Sequence, residues 1–238
     1  MSMSTLAARL SLCAPLLSSA CVFGSGDPIT VERELAAFDA IDNDTVVALR
    51  VGAASPGSRQ LPGLLTCDDN LVDDIETTVE AGVLRVRALR RRLRPHVDCE
   101  LEVTTTTLTR LHVDGPSDAL VEGPFALEHA TIDGPANVTV RGIVGAAVTV
   151  DVDGPADVAL SGEVDHAELV LDGPLSLDAR GLRAAALTLD GDGPLDARVF
   201  AGEDIDVALD GPGDVRVWGQ PATRHVDVDG PGDVHFVD

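Results

Sequence analysis

Aspartate is the residue type best placed to do chemistry in this chain, because it returns at fixed intervals. One series stands immediately before a Gly-Pro pair, at Asp114, Asp133, Asp153, Asp172, Asp192, Asp210 and Asp229. A second series follows four residues later, at Asp118, Asn137, Asp157, Ser176, Asp196, Asp214 and Asp233. If successive copies stack at the ~4.8 Å spacing of neighbouring strands, these become two facing carboxylate columns. Two carboxylates at that distance repel by ~0.9 kcal/mol in bulk water, and by several times more near a protein surface. Two arrangements would offset the repulsion. Each Asp can bond backbone N–H two residues on, as an Asx turn, and close its own corner; this is the favoured expectation. The columns can instead hold Ca²⁺, which takes about six to eight oxygens. Calcium-binding β-rolls repeat every nine residues around a double glycine, and neither feature is found here.

The remaining candidates are few. Trp218, the only tryptophan, would stack on a sugar if it stands outward on a flat face. Cys67 and Cys99 form an even pair beside aspartates in "TCDD" and "VDCELEV". In an oxidising compartment they read as a disulfide, since two cysteines without histidine at ligand spacing make half a zinc site at best. The histidines fall at different phases of the repeat. There is no Gly-x-Ser-x-Gly elbow, no phosphate loop, and no constellation of catalytic residues. No cofactor is expected apart from the Ca²⁺ option.

The elements that position these residues follow from the repeat itself. Gly-Pro preceded by Asp recurs at Gly115, Gly134, Gly154, Gly173, Gly193, Gly211 and Gly230, in steps of 18 to 20 residues. A second glycine series, Gly123, Gly142, Gly162, Gly181, Gly202 and Gly219, trails the first by eight residues in every case but one. Between these two turn points residues alternate, as in "NVTVRG", "DVALSG" and "VDVDG", which argues half-buried strands. One inward wall then carries Val150, Val152, Leu169, Leu171, Val207, Leu209, Val226 and Val228. The other carries Val138, Val140, Val158, Leu160, Val215, Val217, Val234 and Phe236. Two short strands cannot bury a face alone, but stacked coils can. The fold expected is all-β: a parallel β-helix, or β-solenoid, of roughly seven coils with about 19–20 residues each. Residues 111–238 form the repeat, and 22–110 are a β-rich part that completes and caps it. Within that part "DNLVDDI" reads as a short helix or turn with Asp69 as its cap, and "RRRLRP" at Arg90–Pro95 as an exposed loop.

Composition limits the partners. The 238 residues carry a formal charge of −23, with 40 acidic residues against 17 arginines and no lysine. A phosphate backbone would be repelled, so nucleic acid is not expected as a partner. Residues 1–21, "MSMSTLAARLSLCAPLLSSAC", have the layout of a secretory signal with an apolar run too short to span a bilayer. "LSSAC" resembles a bacterial lipobox, although Leu17 stands four residues before Cys21 rather than three. Cys21 would then be acylated and anchor the exported chain to a membrane. Val22 after it points to the outer membrane, with a periplasmic or cell-surface setting as the wider expectation.

Three stretches together carry a family likeness: "FDAIDNDTVVALRV", then "DDNLVDDIETTVEAGVLRVRA", then the serial "DGPGDV"-type turns. From Phe38 to Asp238 the chain resembles the DUF2807 family, the head GIN domain of auto-transporter adhesins. It departs from the family pattern in using Asp-Gly-Pro for the usual Ser-Gly-Ala and in the apparent insertion Ala53–Leu65. The resemblance implies a right-handed parallel β-helix and a secreted or lipid-anchored location, and it supplies no active site. The resulting expectation is a non-enzymatic, lipid-anchored envelope protein whose acidic solenoid binds a polysaccharide or another envelope protein. The alternatives are a carbohydrate-active β-helix enzyme and a structural or self-associating envelope protein.

Overall fold

A computed structural model of the chain describes residues 21–90 and 92–237. The signal and lipobox reading falls on residues 1–20, which lie outside the described residues; Cys21 is described and is a free, half-buried thiol. Alternating aliphatic residues put one face of each strand inward, and the chain answers by coiling. Ala136–Asp153, Ala156–Asp172, Leu175–Asp192 and Leu195–Asp210 are long strands that each bend at the lone-glycine corner. Each lies parallel and in register on the next. The result is a β-solenoid of about seven turns with a 17-stranded sheet wound around one aliphatic interior.

The solenoid has two walls meeting at the Asp-Gly-Pro corner. A first wall runs into that corner and a second wall runs away from it. Chain order and spatial order differ at the N-terminal end. Ala40–Asp44 pairs with Arg110–Asp114 on one side and with Val83–Ala88 on the other. Likewise Ala48–Ala53 lies between Ala119–Phe125 and Glu100–Thr105. The level made by residues 40–53 is thus sandwiched between one made by 83–105 and one made by 110–125.

Beyond those levels the strands turn antiparallel. Gly63–Asp68 pairs with both Pro28–Arg33 and Glu100–Thr105, and Ile75–Glu80 forms a hairpin with Val83–Ala88. The turn of that hairpin has left-handed backbone at Ala81 and Gly82 (φ 49° and 80°). A disulfide joins Cys67 to Cys99, with Cα atoms 4.3 Å apart. Beside it the fully buried Asp68 carboxylate accepts N–H groups from Gly26 (2.6 Å), His96 (2.9 Å) and Val97 (3.3 Å). Burial alone would raise the Asp68 pKa, but these backbone donors and the nearby His96 outweigh it and hold the carboxyl below its ordinary value.

Local expectations met three physical corrections. The turn in "DNLVDDI" is a 3-10 helix, Val72–Asp74, preceded by Leu71 with no side-chain cap. Asp69 instead accepts the Ser25 hydroxyl at 2.6 Å. The Arg90–Pro95 stretch is not all loop: Leu93–Arg94 is a short strand parallel to Val22–Phe23, because Leu93 has core to bury in. Finally, the inward aliphatic set is buried as far as Val217, but Val226 is 40% exposed and Val228, Val234 and Phe236 are only partly buried. They belong to the last coil, which has a neighbour on one side only.

Candidate functional site: a repeated corner and an aromatic pocket

The Asp-Gly-Pro corners stack with like on like. Asp114, Asp133, Asp153, Asp172, Asp192, Asp210 and Asp229 are successive register partners. The column continues upstream to Asp44 and ends on Arg87, which no repeat motif announced. The second series is also in register from Asn137 through Asp157, Ser176, Asp196 and Asp214 to Asp233. Asp118 joins it through a 2.8 Å hydrogen bond from the Asn137 amide. Between the two acidic lines lies a row of exposed prolines, one per corner from Pro116 to Pro231. The prolines and the second line floor an open groove of about 780 Å³ that runs along the solenoid from Pro135 to Pro231, with the first aspartate series along its border.

The corners are not closed by aspartate side chains. Gly115 N–H donates to the Asp133 carbonyl in the next coil at 2.9 Å. Gly134, Gly154, Gly173, Gly193 and Gly211 do the same to Asp153, Asp172, Asp192, Asp210 and Asp229 at 2.8–3.0 Å. An Asx turn needs an N–H two residues on, and that residue is proline, which has none. Among the described residues, no corner carboxylate is bonded to its own turn; the carboxylates stand outward in water. The corner glycine must be glycine: at Gly173, φ is +102° and an added Cβ would lie 3.2 Å from Gly154 Cα. Where the repeat lacks Gly-Pro, at Asn43–Val47, side chains take over. Buried Asn43 donates to the Val47 carbonyl (2.9 Å) and to Ser117 Oγ (3.2 Å), and Thr45 Oγ1 donates to Asn43 Oδ1 (2.6 Å).

Among the described residues two groups bring three ligand atoms within 4.8 Å of one another. One is Cys67, Asp68 and Cys99, whose thiols are consumed by the disulfide. The other is the exposed trio Asp214, Asp233 and His235 on the last two coils, well short of the six to eight oxygens, or about that, taken by Ca²⁺.

A site of different character lies on the second wall. Phe200 and Trp218 are register neighbours on adjacent coils, both outward and half-buried. The Arg183 guanidinium lies 4.1 Å from the Phe200 ring centre, and that of Arg180 lies 5.5 Å from Trp218. Arg180 is paired with Asp178 through two hydrogen bonds (2.9 and 2.6 Å). These hold the Asp178 carboxyl below the usual carboxylate range, against the burial that would raise it. Gly219, Gln220 and Val237 complete a pocket of about 430 Å³. Trp218 was legible as a lone outward aromatic. Phe200 was missed, although it precedes Trp218 by 18 residues, which is the length of that coil.

A family model described as "Putative auto-transporter adhesin, head GIN domain" matches residues 64–221. No curated protein matches the sequence. Several solved structures are similar. One described as a "putative adhesin", from Bacteroides fragilis, is 24% identical with a TM-score of 0.82, covering 91% of this chain and 100% of its own. A "putative lipid binding protein" from Parabacteroides distasonis is 19% identical with a TM-score of 0.61, covering 92% and 100%. A "putative adhesin" from Parabacteroides merdae is 19% identical with a TM-score of 0.60, covering 91% and 99%.

Proposed function

The chain belongs to the DUF2807 family, and on that footing we propose that it is a non-catalytic, adhesin-like protein of the cell envelope. Its acid–proline corner is the docking edge, and its partner there is an extended, positively charged segment of another envelope protein. The observation that carries this reading is the repetition of one chemistry along a line. Seven corners in register span six coil steps, roughly 29 Å at ~4.8 Å per coil. An enzyme converges unlike groups on one point. This edge offers the same carboxylate–proline–carboxylate rung again and again, which suits a linear partner held by many weak contacts. Opposite charge also speeds and orients the encounter. Arg180 and Arg198 pair with Asp178 and Asp196 of their own strands, and Arg141 pairs with Glu122 on the neighbouring coil.

The reading includes anchorage through an acylated Cys21. Residues just after it are stitched to the capped end. Phe23 pairs with Arg94, Gly24 N–H donates to the Arg94 carbonyl at 2.8 Å, and the Asn70 amide donates to the Phe23 carbonyl at 3.0 Å. Phe23 and Leu89 are more than 60% exposed, with Arg92 and Arg94 close by in sequence. That combination of apolar and basic side chains suits a bilayer surface beside a lipid anchor. The test uses the mature chain and nona-arginine. Saturable binding that falls at least tenfold when Asp153, Asp172 and Asp192 are all changed to Asn supports the docking edge; unchanged affinity removes it. Membrane partitioning that is lost in Cys21→Ser tests the anchor separately.

A further inference from the structure

We infer that the Phe200–Trp218 pocket is a second binding site, opposite in sign to the corner groove, for a carboxylated or sulfated sugar unit of a saccharide chain. Aromatics are only 3% of this sequence, yet two stand side by side on the outward face of adjacent coils. The equivalent outward positions on earlier coils hold Glu122, Arg141 and Ser161, linked to one another by register. The two rings therefore form a local platform rather than part of the general wall. Sugar rings present C–H faces that lie against such platforms, much as other flat groups stack on aromatic side chains.

Positive charge stands beside the platform. Among the described residues Arg183 has no carboxylate within 4.0 Å, although the chain carries 40 acidic residues. Its exposed guanidinium is held over Phe200 instead. Arg180 is paired with Asp178, whereas Arg183, with Glu163 as its register partner on the preceding coil, turns its guanidinium to the Phe200 ring rather than into an ion pair. A guanidinium matches a carboxylate or sulfate in a two-pronged geometry. The far lip has an uncommon backbone. Gln220 has left-handed backbone, φ 56°, and follows Gly219, where an added Cβ would lie 2.2 Å from the Ala201 carbonyl oxygen. Non-glycine residues in that region are strained, and such strain gathers at ligand sites. The exposed Gln220 amide can reach sugar hydroxyls as donor and acceptor. The pocket volume, about 430 Å³, falls within the ~300–1,000 Å³ range of ligand pockets.

This inference does not depend on the corner groove, and one property of the sequence makes the two separable. Trp218 is the only tryptophan, so indole fluorescence reports this pocket alone. The mature protein is titrated with tetragalacturonate, with a sulfated disaccharide, and with uncharged maltotetraose. The expected result is a saturable change in emission with at least one acidic probe and none with maltotetraose. Arg183→Gln should weaken that response at least tenfold while leaving the melting temperature and nona-arginine binding unchanged. Phe200→Leu should weaken it as well. Silence towards both acidic probes at 10 mM or so, an equal response to maltotetraose, or full affinity in Arg183→Gln each overturns the assignment.

Discussion

Asp68 carries a negative charge where no water reaches it, and three backbone N–H groups are what keep it there. Its carboxyl titrates below the ordinary aspartate value, about 3.9. The stability it contributes is therefore complete above that value and is lost as pH falls through the lower folded value. Asp68→Asn should cost about 1–3 kcal/mol at neutral pH, because an amide turns a donor toward donors. It should also flatten the loss of stability below pH 4 or so, and urea melts across pH check both. Glycine gives a second contrast at this scale. Gly173→Ala forces a Cβ towards Gly154 at positive φ and should cost about 1–3 kcal/mol. Gly52→Ala meets only the Thr104 methyl at 3.7 Å and should stay within about 0.5 kcal/mol. Single residues differed in how far the sequence disclosed them. Trp218 announced itself as the lone indole, but Arg183 did not, since its significance lies in which carboxylates fail to reach it. Asp68 reads as one acid among forty until folding brings Gly26 and His96 to it.

At the level of the turn, Asp-Gly-Pro divides its labour. Glycine makes the inter-coil bond, proline removes the N–H that a side chain would otherwise take, and aspartate is left free in solvent. The carboxylate column is then a source of repulsion that solvent ions screen. Stability should rise with added NaCl, and if the columns act only as diffuse charge, CaCl₂ and MgCl₂ at matched ionic strength should raise the melting temperature equally. A calcium shift well above that of magnesium would contradict this. Replacing Asp153 and Asp192 with Asn should raise the melting temperature and reduce its salt dependence. The spacing of the glycines made the corners and their stacking legible. Spacing alone does not say which donor closes them; that is decided by the proline two residues after each aspartate, which has no N–H for an Asx turn. The capped end was harder still. Its strands alternate like any others, and their antiparallel pairing and the insertion of residues 40–53 between later levels depend on contacts between segments tens of residues apart.

Across the whole molecule, the two ends are unlike. The N-terminal end carries a disulfide, a buried charge network and antiparallel strands. At the other end the strands Thr223–Asp229 and Asp233–Phe236 lean on one neighbour each side of the core, and their inward side chains remain partly wet. A repeat array distributes stability by nearest-neighbour contact, so amide exchange should be fastest in residues 223–236 and slowest in the coils between Ala136 and Asp210. Uniform protection to the last strand would show that the end is covered.

That asymmetry also decides how the protein yields to force. Held at its N-terminal end, as the proposed anchor would hold it, and drawn from its C-terminal side, the chain would peel from the last coil inward. Each release frees one repeat of about 19 residues, lengthening the chain by roughly 65 Å at ~3.4 Å per residue. Single-molecule extension should then record a ladder of equal rips that halts at the disulfide-linked end.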